Sequence, residues 1–455
     1  MKRIFAVPGI RIGAWVPFLL VGLIACSSPG EVEQSTQTNV RVSGNTITWN
    51  TEEPALTAVG YRYPDSDIWN VAYPSPNLRR DKAFVTNHSV TLMRPQEGDK
   101  ILVVLVNRLA SQRDFLTGEE FEVELTSGPP TGPLLRWTMV DVGFGDSHFL
   151  RMPNSGKTIL VDGGERQDFS NVDEFLKSES VTSLDYVMAT HIHADHIGGL
   201  VGNSDSVSDG ILGVYDVGMY IDTVIKSHTR FAYDEALATL ANRGIPKANI
   251  QVGDNSDTTE LLDWDEEVYV EILNAGGGAA IGGTSEGDQL NNDSIMFRVT
   301  MGEVNFIMGG DSEAPVETKV TAEFGEALES EVLKVHHHGV NDASNTGFLQ
   351  AVNPRVGMIP IASFETSDGG LPTFAVVNRL RASGIDVYSN DRAEPIGIDF
   401  VTTTSPTDGL NITLVTNGDL YEIEVAPSRS FHSLKGGTMP VLKGQNPEDF
   451  REGDQ

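Results

Sequence analysis

A single cysteine, Cys26, stands among 455 residues, so no disulfide can brace this chain. Basic residues are scarce as well: 32 Lys and Arg face 64 Asp and Glu, a formal net charge of −32. A surface of that sign repels polyanions at long range, so no strong nucleic-acid affinity is expected, although bound divalent ions or a local basic patch would still admit a phosphate. Long apolar runs are missing too, and the most apolar early stretch, residues 14–25, is too short to span a bilayer. No internal repeat is evident. The glycine-rich loop 276–283 lacks the Lys-Ser/Thr that would make it a phosphate-cradling loop. With 39% hydrophobic and 21% charged residues, the composition excludes a disordered chain and fits a β-rich or α/β protein of two or more domains.

What is present begins with an address. Lys2, Arg3 and Arg11 precede the short apolar stretch, which ends at the one cysteine. A basic start, a short apolar run and a small residue before the break describe an export signal. Leu23-Ile24-Ala25-Cys26 resembles the bacterial lipobox. That resemblance implies cleavage before Cys26, a lipid on its thiol and attachment to the cell-envelope membrane, the outer membrane if the host is Gram-negative. The alternative is an ordinary signal peptide with an incidental cysteine. Residues 1–26 are then a lipoprotein signal peptide, residues 27–39 a polar flexible tether, and residues 426–455 an acidic tail.

Between tether and tail, short alternating segments predict strands at 40–42, 46–49, 57–63, 89–92, 101–106 and 120–125. Residues 40–127 thus read as a small all-β sandwich. The early Trp49 and the Tyr61-Arg62-Tyr63 strand resemble a fibronectin type III module, and another Ig-like topology fits nearly as well. The Gly/Pro-rich run 127–133 stops both helix and strand and marks the boundary. Beyond it, helices are expected at 173–177, 232–243 and 374–383, and strands at 158–161, 186–188, 268–273, 294–299 and 304–308, an α/β mixture over residues 134–425.

The chemistry lies in the histidines. Three of only ten fall in the run His191-Ile192-His193-Ala194-Asp195-His196, and three more are consecutive at His336, His337 and His338. Imidazole nitrogen and carboxylate oxygen suit borderline divalent metals, and a loop after a strand can aim several such groups at one point. His191 and His193 would serve one ion. Asp195 and His196 would serve a second, with Gly198-Gly199 letting the following helix approach closely.

Thr190-His191-Ile192-His193-Ala194-Asp195-His196 resembles the signature of the metallo-β-lactamase superfamily. Asp141-Val142-Gly143-Phe144-Gly145-Asp146-Ser147, Ile159-Leu160-Val161-Asp162-Gly163-Gly164, Asn291-Asn292-Asp293-Ser294, Gly309-Gly310-Asp311 and Leu333-Lys334-Val335-His336-His337-His338-Gly339 are similar, in the same order, to its competence-type, ComEC-like branch. The resemblance implies an αββα sandwich and two divalent ions, zinc first and manganese second, that activate a water. It implies that Asp311 bridges the ions, that His337 is a ligand, that Asp195 orients the water and that His338 holds substrate or a proton. Asp162 would brace the metal loop without binding metal. His336, where relatives often carry proline, would be incidental. Asp141, Asp146 and His148 would line the substrate side or merely form a tight turn.

Two departures from the pattern stand out. No third histidine precedes the bridging aspartate at the expected place, since His228 comes too early; Asn292, Asp293 or water would complete the first site. Leu371-Pro372 stands where relatives tend to have His-Pro, which leaves substrate clamping open. The expected function is hydrolysis of a phosphodiester or phosphate ester. Hydrolysis of a lactone, amide or thioester on the same centre, and a non-catalytic cell-surface binding protein, are the alternatives.

Overall fold

The computed structural model describes residues 37–427, apart from 67, 75–83, 110–115, 131, 203–208, 225–229, 282–284, 362–370, 391 and 397–408. The export signal, Cys26, most of the tether, His228 and the acidic tail beyond 427 lie outside the described residues. Among those described, no helix is long and apolar enough to cross a membrane.

The first strands are β1 (Thr38–Ser43), β2 (Thr46–Arg62), β3 (Asn70–Ala72), β4 (Val85–Thr91), β5 (Lys100–Leu109), β6 (Leu116–Thr117) and β7 (Phe121–Glu124). The strands expected at 46–49 and 57–63 are one strand, β2. Its first half pairs with β1 and β4, and its second half with β3 and β5. Alternation along β2 buries Ile47, Trp49, Val59 and Tyr61 in one core with Val90, Ile101, Val103 and Val123. The Trp49 N–H finds its acceptor in Asn107, 3.1 Å away.

Next come β8 (Leu135–Met139), β9 (His148–Arg151), β10 (Thr158–Val161), β11 (Ser183–Met188), β12 (Asp216–Asp222) and β13 (Lys247–Asn249). A second sheet is built from β14 (Val268–Asn274), β15 (Met296–Met301), β16 (Val304–Met308), β17 (Val332–Lys334), β18 (Val356–Ile359), β19 (Asp386–Ser389) and β20 (Arg392–Ile396), in that order. The chain then returns to the first sheet with β21 (Leu410–Thr416) and β22 (Tyr421–Pro427). The facing sides of the two sheets share one apolar core, in which the Trp137 and Phe306 rings stack 4.7 Å apart. On the outer faces, Val172, Leu176, Ile197 and Leu240 pack helices onto the first sheet, and Val316, Val320, Phe348 and Leu380 pack helices onto the second. The architecture is an αββα sandwich with β-rich residues ahead of it.

The first sheet does not stop at the Gly/Pro run. β22 pairs antiparallel with β3, so hydrogen bonding is continuous from the αββα layers into the early strands. Buried polar contacts tie the same seam: Tyr73 and Tyr388 hydroxyls meet at 2.8 Å, and Arg108 donates to the Arg381 carbonyl. Glu422 is fully buried there and accepts from the Tyr61 hydroxyl at 2.8 Å and from the Met93 N–H.

Burial pushes the Glu422 carboxyl up to about 7 from its usual 4.5. A raised carboxyl means that the folded state holds a proton the unfolded chain has released, so stability falls as pH rises from about 4.5 to about 7. Glu422→Gln removes that loss. Its unfolding midpoint is expected above that of the unaltered protein at pH 8, by on the order of 2 kcal/mol, and no higher at pH 4.5. Denaturant titrations at the two pH values check this, and an equal offset at both would contradict it.

Candidate metal centre

Asp162 follows β10 in the left-handed backbone region, φ 58°, a conformation that for a non-glycine residue marks a constrained position. Its Oδ1 accepts from the Thr190 N–H at 2.8 Å, and its Oδ2 accepts from the Thr190 hydroxyl at 2.6 Å. Oδ2 also lies 2.8 Å from His196 Nδ1. The carboxylate thus fixes the loop after β11 and turns His196 so that Nε2 faces forward, the arrangement that readies an imidazole for a cation. The helix Ala194–Val201 starts inside the histidine run. It lies so close to the Gly163-Gly164 turn that a Cβ on Gly199 would come within 2.0 Å of the Gly163 carbonyl oxygen.

Asp311, after β16, is the point of convergence. Its Oδ2 lies 3.2 Å from His196 Nε2, 3.4 Å from His338 Nε2, 3.8 Å from His337 Nε2 and 4.0 Å from His191 Nε2. Asp195 Oδ2 is 3.3 Å from His338 Nε2 and 3.9 Å from His196 Nε2. His191 Nε2 lies 3.0 Å from His193 Nδ1, while its own Nδ1 faces Thr190 and Ser294 hydroxyls. Of the residues singled out as ligands from sequence, His191, His196 and His337 gather around Asp311, Asp195 lies against His196, and His193 lies against His191.

The triple histidine sends its side chains three ways because His337 and His338 both take φ 50°. His336, expected to be incidental, is fully buried with Nδ1 2.8 Å from Glu317 Oε1. That carboxylate also accepts from Ser344 and Asn345 N–H groups and so locks the turn. His337 is at the rim, 20% exposed, with Nδ1 3.0 Å from Asp342 Oδ1. His338, expected to hold substrate or a proton, is buried and closes the group formed with His196 and Asp311.

Other positions differ from expectation. Asn292 is buried and donates to Glu313 at 3.0 Å, while Asp293 caps Gly278 at 2.6 Å. It is Asn291 that reaches towards the centre, its Nδ2 3.4 Å from His337 Nε2. Asp141, Asp146 and His148 are all buried, so none forms an exposed substrate face. Asp141 accepts from Gly143 N–H within the tight turn. Asp146 sits behind His338, its Oδ1 3.2 Å from Nδ1. Pro372 packs against Gly339, which brings Leu371-Pro372 beside the histidine turn. Sequence reasoning passed over Lys334, fully buried with Nζ 2.5 Å from Asp146 Oδ2; a lysine inside the apolar run Val332-Leu333-Lys334-Val335 was the available signal.

The electrostatics call for positive charge. Burial opposes protonation of His196 and His338, yet the surrounding carboxylates, Asp311 first, hold both well above the usual imidazole range. His191 is held well below that range by burial and by His196, and His193 is lowered to about 4 for the same reasons. Neutral imidazoles beside ionised carboxylates are what a divalent ion binds. The Nε2 atoms of His196 and His338 are buried without a hydrogen-bond partner among the described residues. An unmet polar atom costs about 1–3 kcal/mol, which a bound cation would offset. The buried His/Asp cluster fits a divalent metal site.

Residues 140–362 match the metallo-beta-lactamase superfamily. A 101-residue stretch is 35% identical to "Competence protein ComA" of Neisseria gonorrhoeae, covering 22% of this chain and 14% of that protein. Another alignment, 25% identical over 238 residues, joins 49% of this chain to 27% of "ComE operon protein 3" of Bacillus subtilis strain 168. The chain thus spans little more than a quarter of these curated relatives at most. Among solved structures, CmlA, a diiron beta-hydroxylase from Streptomyces venezuelae, is 16% identical over 60% of this chain and 50% of that one, with a TM-score of 0.33. The match to the metallo-β-lactamase superfamily spans residues 140–362, and the histidine–aspartate centre lies within that span.

Proposed function

We propose that this protein is a two-metal hydrolase acting on a phosphodiester or phosphate ester. The observation that carries the reading is the meeting of four imidazole Nε2 atoms within 4.0 Å of one carboxylate oxygen, Asp311 Oδ2. His191 and His193 would hold one ion, with His337 the imidazole available to complete it. Asp195, His196 and His338 would hold the other, and Asp311 would be shared. Zinc suits this nitrogen-rich set, with manganese second. When bound, the ions supply an activated water at neutral pH and draw off developing negative charge.

The chain's own residues do the rest. Asp162 holds His196 by its Nδ1 and the Pro360 carbonyl holds His338 by its Nδ1, with Asp146 Oδ1 3.2 Å from the same atom, and Asp195 offers an acceptor at the centre that can orient the attacking water. Arg230 brings a guanidinium to the other side, its Nη2 3.3 Å from His193 Nε2. A cation at the mouth of a centre in so acidic a chain favours an anionic substrate. Phe144, 41% exposed, lies over His338 with ring centroids 5.1 Å apart, an apolar wall for a leaving group. Leu23-Ile24-Ala25-Cys26 supports export and a lipid anchor in the cell envelope, with residues 40–127 as a fibronectin III-like spacer between lipid and enzyme.

The test is hydrolysis of bis(p-nitrophenyl) phosphate by Zn²⁺- or Mn²⁺-loaded protein beside the neutral ester p-nitrophenyl acetate. Turnover of the phosphodiester is expected, abolished by a chelator. Arg230→Gln is expected to raise its KM roughly tenfold, the loss of about one hydrogen bond to a charged group, and to leave the neutral ester unaffected. Turnover of the neutral ester alone would overturn the substrate class.

A further inference from the structure

Lys334 ends β17 with no solvent exposure at all. Its Nζ donates to the Gly310 carbonyl at 2.7 Å, lies 2.5 Å from Asp146 Oδ2 and stands 3.6 Å from Asp311 Oδ1. Burying an ion pair costs several kcal/mol for each charge and is repaid only by good geometry. A buried hydrophobic pair would serve stability as well, so this one is explained better by what it does to its neighbours.

Those neighbours are two carboxylates of the metal centre. Asp146 offers a ligand atom within 4.8 Å of those of His196, Asp311 and His338, so neither its type nor its place excludes it from binding an ion. What separates it from Asp195 is orientation. Asp195 Oδ2 faces the Nε2 atoms of His338 and His196. Asp146 Oδ1 lies 3.2 Å from the opposite ring nitrogen of His338, Nδ1, which also has the Pro360 carbonyl oxygen at 3.3 Å, and its Oδ2 is paired with Lys334. Asp311 is divided in the same way, with Oδ2 among the imidazoles and Oδ1 on the lysine side.

We propose that Lys334 is a positioning residue that sets the division of labour among these carboxylates. It keeps Asp146 on the Nδ1 side of His338, away from the Nε2 atoms, and draws Asp311 Oδ1 back, so that Oδ2 alone is presented to the ions. Without it, two further carboxylate oxygens turn towards the centre, and an oxygen-richer set favours manganese over zinc. This inference rests on the two-ion reading of the centre.

The experiment measures Zn²⁺ and Mn²⁺ affinities by equilibrium dialysis, and the visible absorption of the Co²⁺-loaded protein, for the full chain and three variants. Asp146→Asn is expected to keep two Zn²⁺ equivalents and the unaltered Co²⁺ bands, whereas Asp195→Asn loses one equivalent. Lys334→Met is expected to lose Co²⁺ band intensity as coordination number rises, and to narrow the Zn²⁺/Mn²⁺ affinity ratio by about 10-fold or more, the range over which groups holding metal ligands act. Loss of a Zn²⁺ equivalent in Asp146→Asn makes Asp146 a ligand and overturns the proposal, even if Lys334→Met fails to fold. So does a folded Lys334→Met whose spectrum and ratio are unchanged. Fewer than two equivalents in the unaltered protein would instead sink the two-ion reading itself.

Discussion

His338→Ala is expected to cut metal-dependent hydrolysis by on the order of 10²–10³-fold and to release one of the two metal equivalents. The reason is position. His338 Nε2 lies between Asp195 Oδ2 at 3.3 Å and Asp311 Oδ2 at 3.4 Å, is buried, and has Nδ1 held by the Pro360 carbonyl with Asp146 beside it. No neighbouring side chain can take its place, because the left-handed turn points His336 at Glu317 and His337 at the rim. His337→Ala is expected to cost less, about tenfold, since its Nε2 is farther from Asp311 and its Nδ1 is shared with exposed Asp342. Metal content and kcat measured for both variants check the order. A larger loss for His337 would return the second ion's ligand to the residue favoured by sequence and move His338 to substrate handling.

Asp311→Ala is expected to do more, removing activity by on the order of 10³-fold or beyond and lowering the affinity for both ions together. Its Oδ2 is the atom that all four Nε2 atoms share. Two buried histidines, His196 and His338, owe their raised proton affinity first to this carboxylate. Without it the centre loses a buried negative charge, and with it much of its pull on a cation. Asp311→Asn keeps the shape and removes the charge. It is expected to behave like Asp311→Ala in metal affinity but to unfold at the temperature of the unaltered protein, which separates electrostatics from packing.

Much of this was legible in the sequence, and for a physical reason. Metal ligands must be His, Asp or Glu and must sit close together, so His191 to His196 and Asp311 stand out against a chain with only ten histidines. Strands with strong alternation or fully apolar runs were also readable: β10 and β16 have the expected bounds, and the helix expected at 232–243 is Phe231–Arg243. The helices Ala314–Phe324 and Thr346–Val352 were not foreseen. The second is capped by Asn345, a local signal weaker than periodicity over seven residues can confirm.

What stayed illegible depends on backbone conformation and on distant contacts. Three consecutive histidines cannot be told apart by spacing; what separates them is the left-handed backbone at His337 and His338. Nothing in the composition of β3 points to its pairing with β22, some 350 residues later, because edge-to-edge pairing is set by register and not by composition. Asn291 and Asn292 are adjacent and chemically alike, and only the turn of their helix decides which one faces His337.

The central claim is a two-ion centre built around Asp311, and the most direct test is the metal content of the purified protein after loading with Zn²⁺ and removal of free metal. Two tightly held equivalents are predicted, falling to one or fewer in Asp311→Ala. No bound metal in the unaltered protein, or two equivalents retained by Asp311→Ala, would contradict it.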